Sequence, residues 1–151
     1  MTTAPPWWDA ANHSTRRPRL VLRNRVMAGL RGWFEASGFT EVETGQLQVS
    51  PGNEAHLHAF STDLIGLDGR PHALYLHTSP EFACKKLLAA GETQIFTFAR
   101  CFRNREASRL HAPEFTMLEW YRAHQPCESR QLKIWHQDMR SFGRASAPER
   151  E

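Results

Sequence analysis

The sequence is poor in the residues that staple or metallate small folds. Its three cysteines, Cys84, Cys101 and Cys127, stand far apart with no C-x-x-C pair. A disulfide framework and a zinc-type site are thereby excluded, and a reducing, cytoplasmic setting is the simplest expectation. Long apolar runs are missing too. None approaches the length of a bilayer span, and the opening MTTAPPWWDAANHSTRRPRL lacks the apolar stretch of a signal peptide, so no membrane partner is expected. There is no internal repeat and no low-complexity run. Eight histidines are present, but none stands in H-E-x-x-H or another ligand spacing, so no metal-ligating residue is assigned.

What is present suits one globular domain. The 151 residues are 40% hydrophobic with a formal net charge of +3, and the isoelectric point is near 9.0. This basicity admits a polyanionic partner, or simply a soluble surface. Residues 1–16 are aperiodic and read as a flexible lead-in. From Arg17 to Ala36 the apolar residues Leu20, Val26, Met27, Leu30, Trp33 and Phe34 recur at helical spacing, and Gly38 supplies a stop. FTEVET then reads as a short strand, and HLHAFSTDLIG and HALYLH as a hairpin around Asp68-Gly69. In TSPEFACKKLLAAG, Thr78 or Ser79 can cap a helix, Glu81 complements its positive end, and Gly91 closes it. TQIFTFARCFR and EFTMLEWYR follow as strands joined by a long polar loop. Residues 126–151 form a divergent tail, with one helix expected over 129–142.

The last strand pair carries unusual chemistry for a core. Alternation puts Phe96, Phe98 and Phe102 on one side of the first strand. Thr97, Ala99, Cys101 and Arg103 lie on the other, a small-residue face with room for an anionic ligand. On the second strand Phe115, Met117, Glu119 and Tyr121 share a side: an aromatic plate, an acid and a phenol in succession. Arg105, Arg109 and His111 crowd the loop, where cations could close over phosphates. The plainer reading of the same pattern is a solvated hairpin with cross-strand ion pairs worth under ~1 kcal/mol each.

FRNREASRLHAPEFTMLEWYR resembles motif 2 of class II aminoacyl-tRNA synthetases. PEFTMLEWYR points to the lysyl-tRNA synthetase-like family, and within it to the branch of elongation factor P (R)-β-lysine ligases. TSPEFACKKLLAAG and EVETGQLQVSPGNEAHLHAF extend the likeness, which covers residues 17–125. The resemblance implies an α+β fold, a partial class II catalytic domain with an antiparallel sheet and flanking helices. It implies ATP and Mg²⁺ as cofactors and lysine or β-lysine as substrate. Elongation factor P is the implied acceptor, tRNA-Lys the alternative, and a homodimer through motif 1 is implied as well. Motif 1 begins almost at the start of the chain, with no anticodon-binding barrel before it, which favours the protein acceptor.

By position in the motif, Arg103 would bridge the ATP α-phosphate and the amino-acid carboxylate as the catalytic residue. Asn104, Arg105 and Glu106 would begin the nucleotide-contacting loop, His111 would sit near the phosphates, and Phe115 would stack on adenine. Ser79 and Glu81 would meet the substrate's amino end, with Glu119 and Tyr121 lining the lysine pocket.

The likeness is imperfect. Gly45 stands where a proline is usual at the dimer interface, which implies weaker dimerisation. Arg105 occupies the place of the F-R-x-E acid, with Glu106 following: either Glu106 substitutes, or that nucleotide contact is lost. Ala112 replaces an asparagine. After Arg122 the only glycine is Gly143, so the glycine-rich arginine motif that grips the γ-phosphate is absent. A truncated or frameshifted product would explain this, and the isolated chain is expected to be poorly stable, prone to association and impaired in ligase activity. A non-catalytic nucleotide- or partner-binding fragment is the remaining alternative.

Overall fold

A single carboxylate decides where the chain first becomes helical. In the computed structural model, which describes residues 5–123 other than Trp7 and Asn53, helix α1 spans Ala10–Ala36. Asp9 caps it, accepting from the backbone N–H of Ala11 (3.0 Å) and Asn12 (3.2 Å). The start expected at Arg17 is therefore too late, and residues 10–16 are helical rather than loose. Ser14 and Thr15 do not break this turn because their hydroxyls bond back to the carbonyls of Ala11 and Asn12. Pro18 lies inside the helix at the cost of one backbone hydrogen bond. Near the C-terminal end Phe34 is buried, with Trp33 edge-on to it at 4.9 Å. The tail helix expected over 129–142 lies outside the described residues.

Contacts divide the chain at Gly38, and Gly38–Gln125 forms a unit of its own. Its strands are β1 (Thr40–Glu41), β2 (Leu47–Gln48), β3 (Phe60–Ile65), β4 (Pro71–Leu76), β5 (Gln94–Phe102) and β6 (Glu114–Arg122). Helix α2 (Glu81–Ala89) joins β4 to β5. One sheet has the order β1-β5-β6, the other β2-β4-β3. The Asp68-Gly69 turn closes β3 onto β4: Gly69 adopts φ 77°, the Gly66 N–H donates to the Arg70 carbonyl at 2.9 Å, and the Asp68 carboxylate accepts from the Arg70 N–H. The α+β reading with antiparallel hairpins holds, with one addition. β1 runs parallel to β5, pairing Thr40 with Ile95 and Glu41 with Phe96.

The core of this unit centres on β5. Ile95, Phe96 and Cys101 are wholly buried, and Phe39, Thr97 and Ala99 nearly so. β5 is the middle strand: β6 pairs along all of it and β1 beside Ile95 and Phe96, whereas among the described residues no strand lies beyond β6. Arg122, at the end of β6, places its guanidinium 4.9 Å from the Phe39 ring centroid.

Candidate active site

The register of β5 and β6 decides which side chains share a face. Thr97 pairs with Glu119, Ala99 with Met117, Cys101 with Phe115, and Ile95 with Tyr121. Paired residues point the same way, so the face read from alternation is the one formed. Its small residues are not open to a ligand, however. Thr97, Ala99 and Cys101 are buried, while Phe115, Met117, Glu119 and Tyr121 remain half-buried. Small side chains let neighbouring segments close over β5, and the accessible part of the face falls on β6 and at the strand ends.

Arg103 stands just past the end of β5, where its N–H donates to the Pro113 carbonyl at 2.9 Å and closes the loop. Its guanidinium carbon lies 5.3 Å from the Phe115 ring centroid. The Nε–H donates to the Thr78 carbonyl at 3.3 Å, and a terminal nitrogen is 3.8 Å from the Glu106 carboxylate. Glu106 reaches back because the chain turns sharply before it. Asn104 accepts from the Arg105 N–H through its own side chain, and Arg105 takes the left-handed φ of 64°. The acid that follows Arg105 thus reaches the arginine despite its displaced position in the sequence.

Further along the loop, Ser108 accepts from the N–H groups of Leu110 and His111. With both lone pairs used, its hydroxyl is left to donate to His111 Nδ1 at 2.9 Å, which puts the imidazole proton on Nε2. That nitrogen is a donor of the kind phosphate oxygens accept. Arg105, Arg109 and His111 are exposed, and none of them is brought against Arg103 or Phe115 by a described contact.

At the other end of the face Tyr121 donates its hydroxyl to Glu119 at 3.0 Å. Burial pushes the Glu119 carboxyl above the ordinary range. The Tyr121 bond and the Lys85 charge pull it down, and the charges of Glu81 and Glu54 push it up. Burial also raises the Tyr121 hydroxyl, with the Glu119 charge adding to it. The Cys84 and Cys101 thiols are pushed up to about 11, first by burial and then by Glu119, and so stay protonated and unreactive. Glu81, on the first turn of α2, holds Lys85 at 2.6 Å across one turn. Three carboxylates, Glu54, Glu81 and Glu119, thus act on one neighbourhood, with Lys85 the opposing cation in it. Such a surplus suits an ammonium group.

Ser79 caps α2 only weakly, accepting from the Glu81 N–H at 3.4 Å, and Thr78 does not cap it at all. The Thr78 hydroxyl donates instead to the Pro51 carbonyl at 3.0 Å. Sequence reading missed Glu54, Thr78 as a carbonyl partner of Arg103, and Ser108 as the loop's organiser. Only the i,i+4 spacing of Glu81 and Lys85 carried a local signal. Among the described residues no group of three His, Cys, Asp or Glu side chains is arranged to hold a metal ion, and no helix is long and apolar enough to cross a membrane.

The raised carboxyl carries a measurable pH dependence. Well below the ordinary carboxylate range, about 4.3 for glutamate, Glu119 is protonated in folded and unfolded chains alike. As pH rises through the folded value the unfolded chain ionises freely while the folded chain must bury the charge, so stability is lost. Glu119→Gln is expected to raise the urea midpoint at pH 7, with the gain shrinking toward zero at about pH 3. A gain of equal size at both values would show that titration is not its source.

Comparison with known proteins adds independent findings. Residues 5–140 match the family of class II tRNA synthetases (D, K and N). The chain is 45% identical over 119 residues to an elongation factor P–(R)-β-lysine ligase of Haemophilus ducreyi, covering 78% of this chain and 35% of that protein. The ligase of the same description from Photorhabdus laumondii is 46% identical over 108 residues, 70% of this chain and 33% of its own. That of Haemophilus influenzae is 42% identical over 125 residues, 82% and 38% respectively. The chain therefore spans about a third of the length of the curated relatives it matches.

Proposed function

Because the chain belongs to the class II tRNA synthetases of the D, K and N group, we propose that Gly38–Gln125 carries the nucleotide- and amino-acid-binding share of an ATP-dependent ligase site. The full reaction activates a lysine-type amino acid and passes it to a lysine of elongation factor P, in keeping with the names of the relatives. A cytoplasmic location and a homodimer through the motif 1 region belong to the same reading.

One observation carries it: Arg103 and Phe115 meet on one face, 5.3 Å apart, at the end of the strand pair along which Glu119 and Tyr121 follow. In this reading adenine lies on the Phe115 ring, and the Arg103 guanidinium faces both the α-phosphate and the substrate carboxylate. A carboxylate oxygen attacks the α-phosphorus, the bond to the bridging oxygen breaks, and pyrophosphate leaves. Negative charge builds on the oxygens between the two reactants, where a fixed guanidinium stabilises it. The ε-amine of the acceptor lysine then attacks the acyl carbon and AMP departs. Ser79, Glu81, Glu119 and Tyr121 hold the ammonium end of the amino acid, and Asn104, Arg105, Glu106 and His111 line the approach of the phosphates. Magnesium shields phosphate charge when it arrives with ATP. The described residues offer no carboxylate set for the ion, so no step here runs through it.

Binding is the direct test for this chain. Titration with ATP, alone and with lysine or β-lysine, is expected to show weak nucleotide binding that the amino acid strengthens, because both ligands share Arg103. No binding of either at millimolar concentration would overturn the reading. Transfer of labelled amino acid to elongation factor P supports the protein acceptor; transfer to tRNA-Lys would move the assignment to the synthetase branch.

A further inference from the structure

His77 lies at the end of β4, just before the segment that leads into α2, and only 2% of its surface is exposed. Its Nε2 is 2.7 Å from the Arg100 carbonyl. A carbonyl oxygen only accepts, so Nε2 carries the proton and donates. The backbone of the same residue is also engaged: its N–H donates to the Gln46 carbonyl at 2.9 Å, and its carbonyl accepts from the Phe102 N–H at 3.1 Å. His77 therefore grips β5 at residues 100 and 102, immediately before Arg103. The next residue, Thr78, accepts from Arg103 Nε and is itself tied to Pro51 through its N–H and hydroxyl. Two adjacent residues thus hold the backbone leading into Arg103 and the Arg103 side chain.

Packing alone does not account for an imidazole here. Nδ1 is buried without a hydrogen-bond partner among the described residues. An apolar side chain of similar size would fill the space without that cost. What it could not do is hold the Arg100 carbonyl.

We propose that His77 is a positioning residue for Arg103: by holding the Arg100 carbonyl it keeps the end of β5 and the Thr78 carbonyl in the register that directs the guanidinium over Phe115. It touches no substrate. The geometric part stands without the nucleotide reading, and only its consequence for ATP rests on that reading.

The 151-residue chain, labelled with ¹⁵N, gives a direct readout in the Arg103 Nε–H resonance. In the parent that proton is bonded to Thr78 and protected from solvent exchange. Gln carries an amide nitrogen at about the reach of Nε2, and Asn at about that of Nδ1. His77→Gln is expected to keep the protected resonance. His77→Asn and His77→Leu should lose it, with exchange about tenfold faster, while the β5–β6 amide pattern persists. In the same two variants ATP affinity falls about tenfold and adenosine affinity is unchanged, since adenosine engages Phe115 without the phosphates. Retained protection in His77→Leu, or equal behaviour of the Gln and Asn variants, overturns the proposal. Should the Leu variant fail to fold, the Gln and Asn pair decides alone. A parent chain that binds no ATP defeats the nucleotide reading, and the Nε–H resonance still decides the role of His77.

Discussion

Replacing Arg103 with lysine is expected to weaken ATP binding about 10- to 100-fold and to leave adenosine binding unchanged. A hydrogen bond to a charged group is worth about 1.5–3 kcal/mol, and each 1.4 kcal/mol is about a factor of ten. Lysine keeps the charge but not the planar fork. In the parent the fork is already divided: Nε is committed to the Thr78 carbonyl, one terminal nitrogen faces Glu106, and the guanidinium carbon lies over the Phe115 ring. In the proposed reading one group serves as anchor and ligand at once, and an ammonium on a flexible stem cannot do both. Calorimetric titration with the two ligands checks this. Equal losses for ATP and adenosine would mean that the substitution disturbed the hairpin rather than a phosphate contact.

The second large effect concerns the sheet. Phe96→Ala is expected to cost about 3–5 kcal/mol, the range for emptying a buried aromatic site. Phe96 has no exposed surface, pairs with Glu41 on one side and Trp120 on the other, and meets Phe98 edge-on at 6.1 Å. Its carbonyl also receives the Val42 N–H at 2.8 Å. Small domains have only about 5–15 kcal/mol in total, so a loss of that size removes a large share of it. Circular dichroism at 25 °C should therefore show the variant largely unfolded. A urea midpoint equal to the parent's would place the core elsewhere.

Much of this arrangement was legible in the sequence because it is written locally. The β3–β4 turn needs a glycine at Gly69 and an acid at Asp68. Strand alternation alone put Phe115, Glu119 and Tyr121 on one face, and the observed register agrees. The start of α1 lies earlier than apolar periodicity predicts because one capping carboxylate outweighs a run of poor helix formers. Small residues at 97, 99 and 101 suggest room for a ligand, yet small side chains equally permit close packing, and here they are buried. Nothing local to Thr78 announces that its carbonyl will receive Arg103, twenty-five residues on. Nor does Arg105 announce a left-handed turn, a conformation that glycine or asparagine usually signals.

The side-by-side alignment of β1 and β5 bears on how the molecule assembles. Hairpins such as β3–β4 close over short spans in microseconds, whereas bringing Thr40 beside Ile95 must wait for a long intervening segment to be gathered in. We expect this seam to zip last, so that weakening it with Val42→Pro, which removes the N–H bonded to the Phe96 carbonyl, hastens unfolding in stopped-flow experiments and leaves the refolding rate untouched. Slowed refolding would instead make it part of the nucleus. The segment from Gln46 to Pro51, which meets His77 and Thr78, lies directly downstream of that seam, so Arg103 would gain its final surroundings only at the closing step of folding.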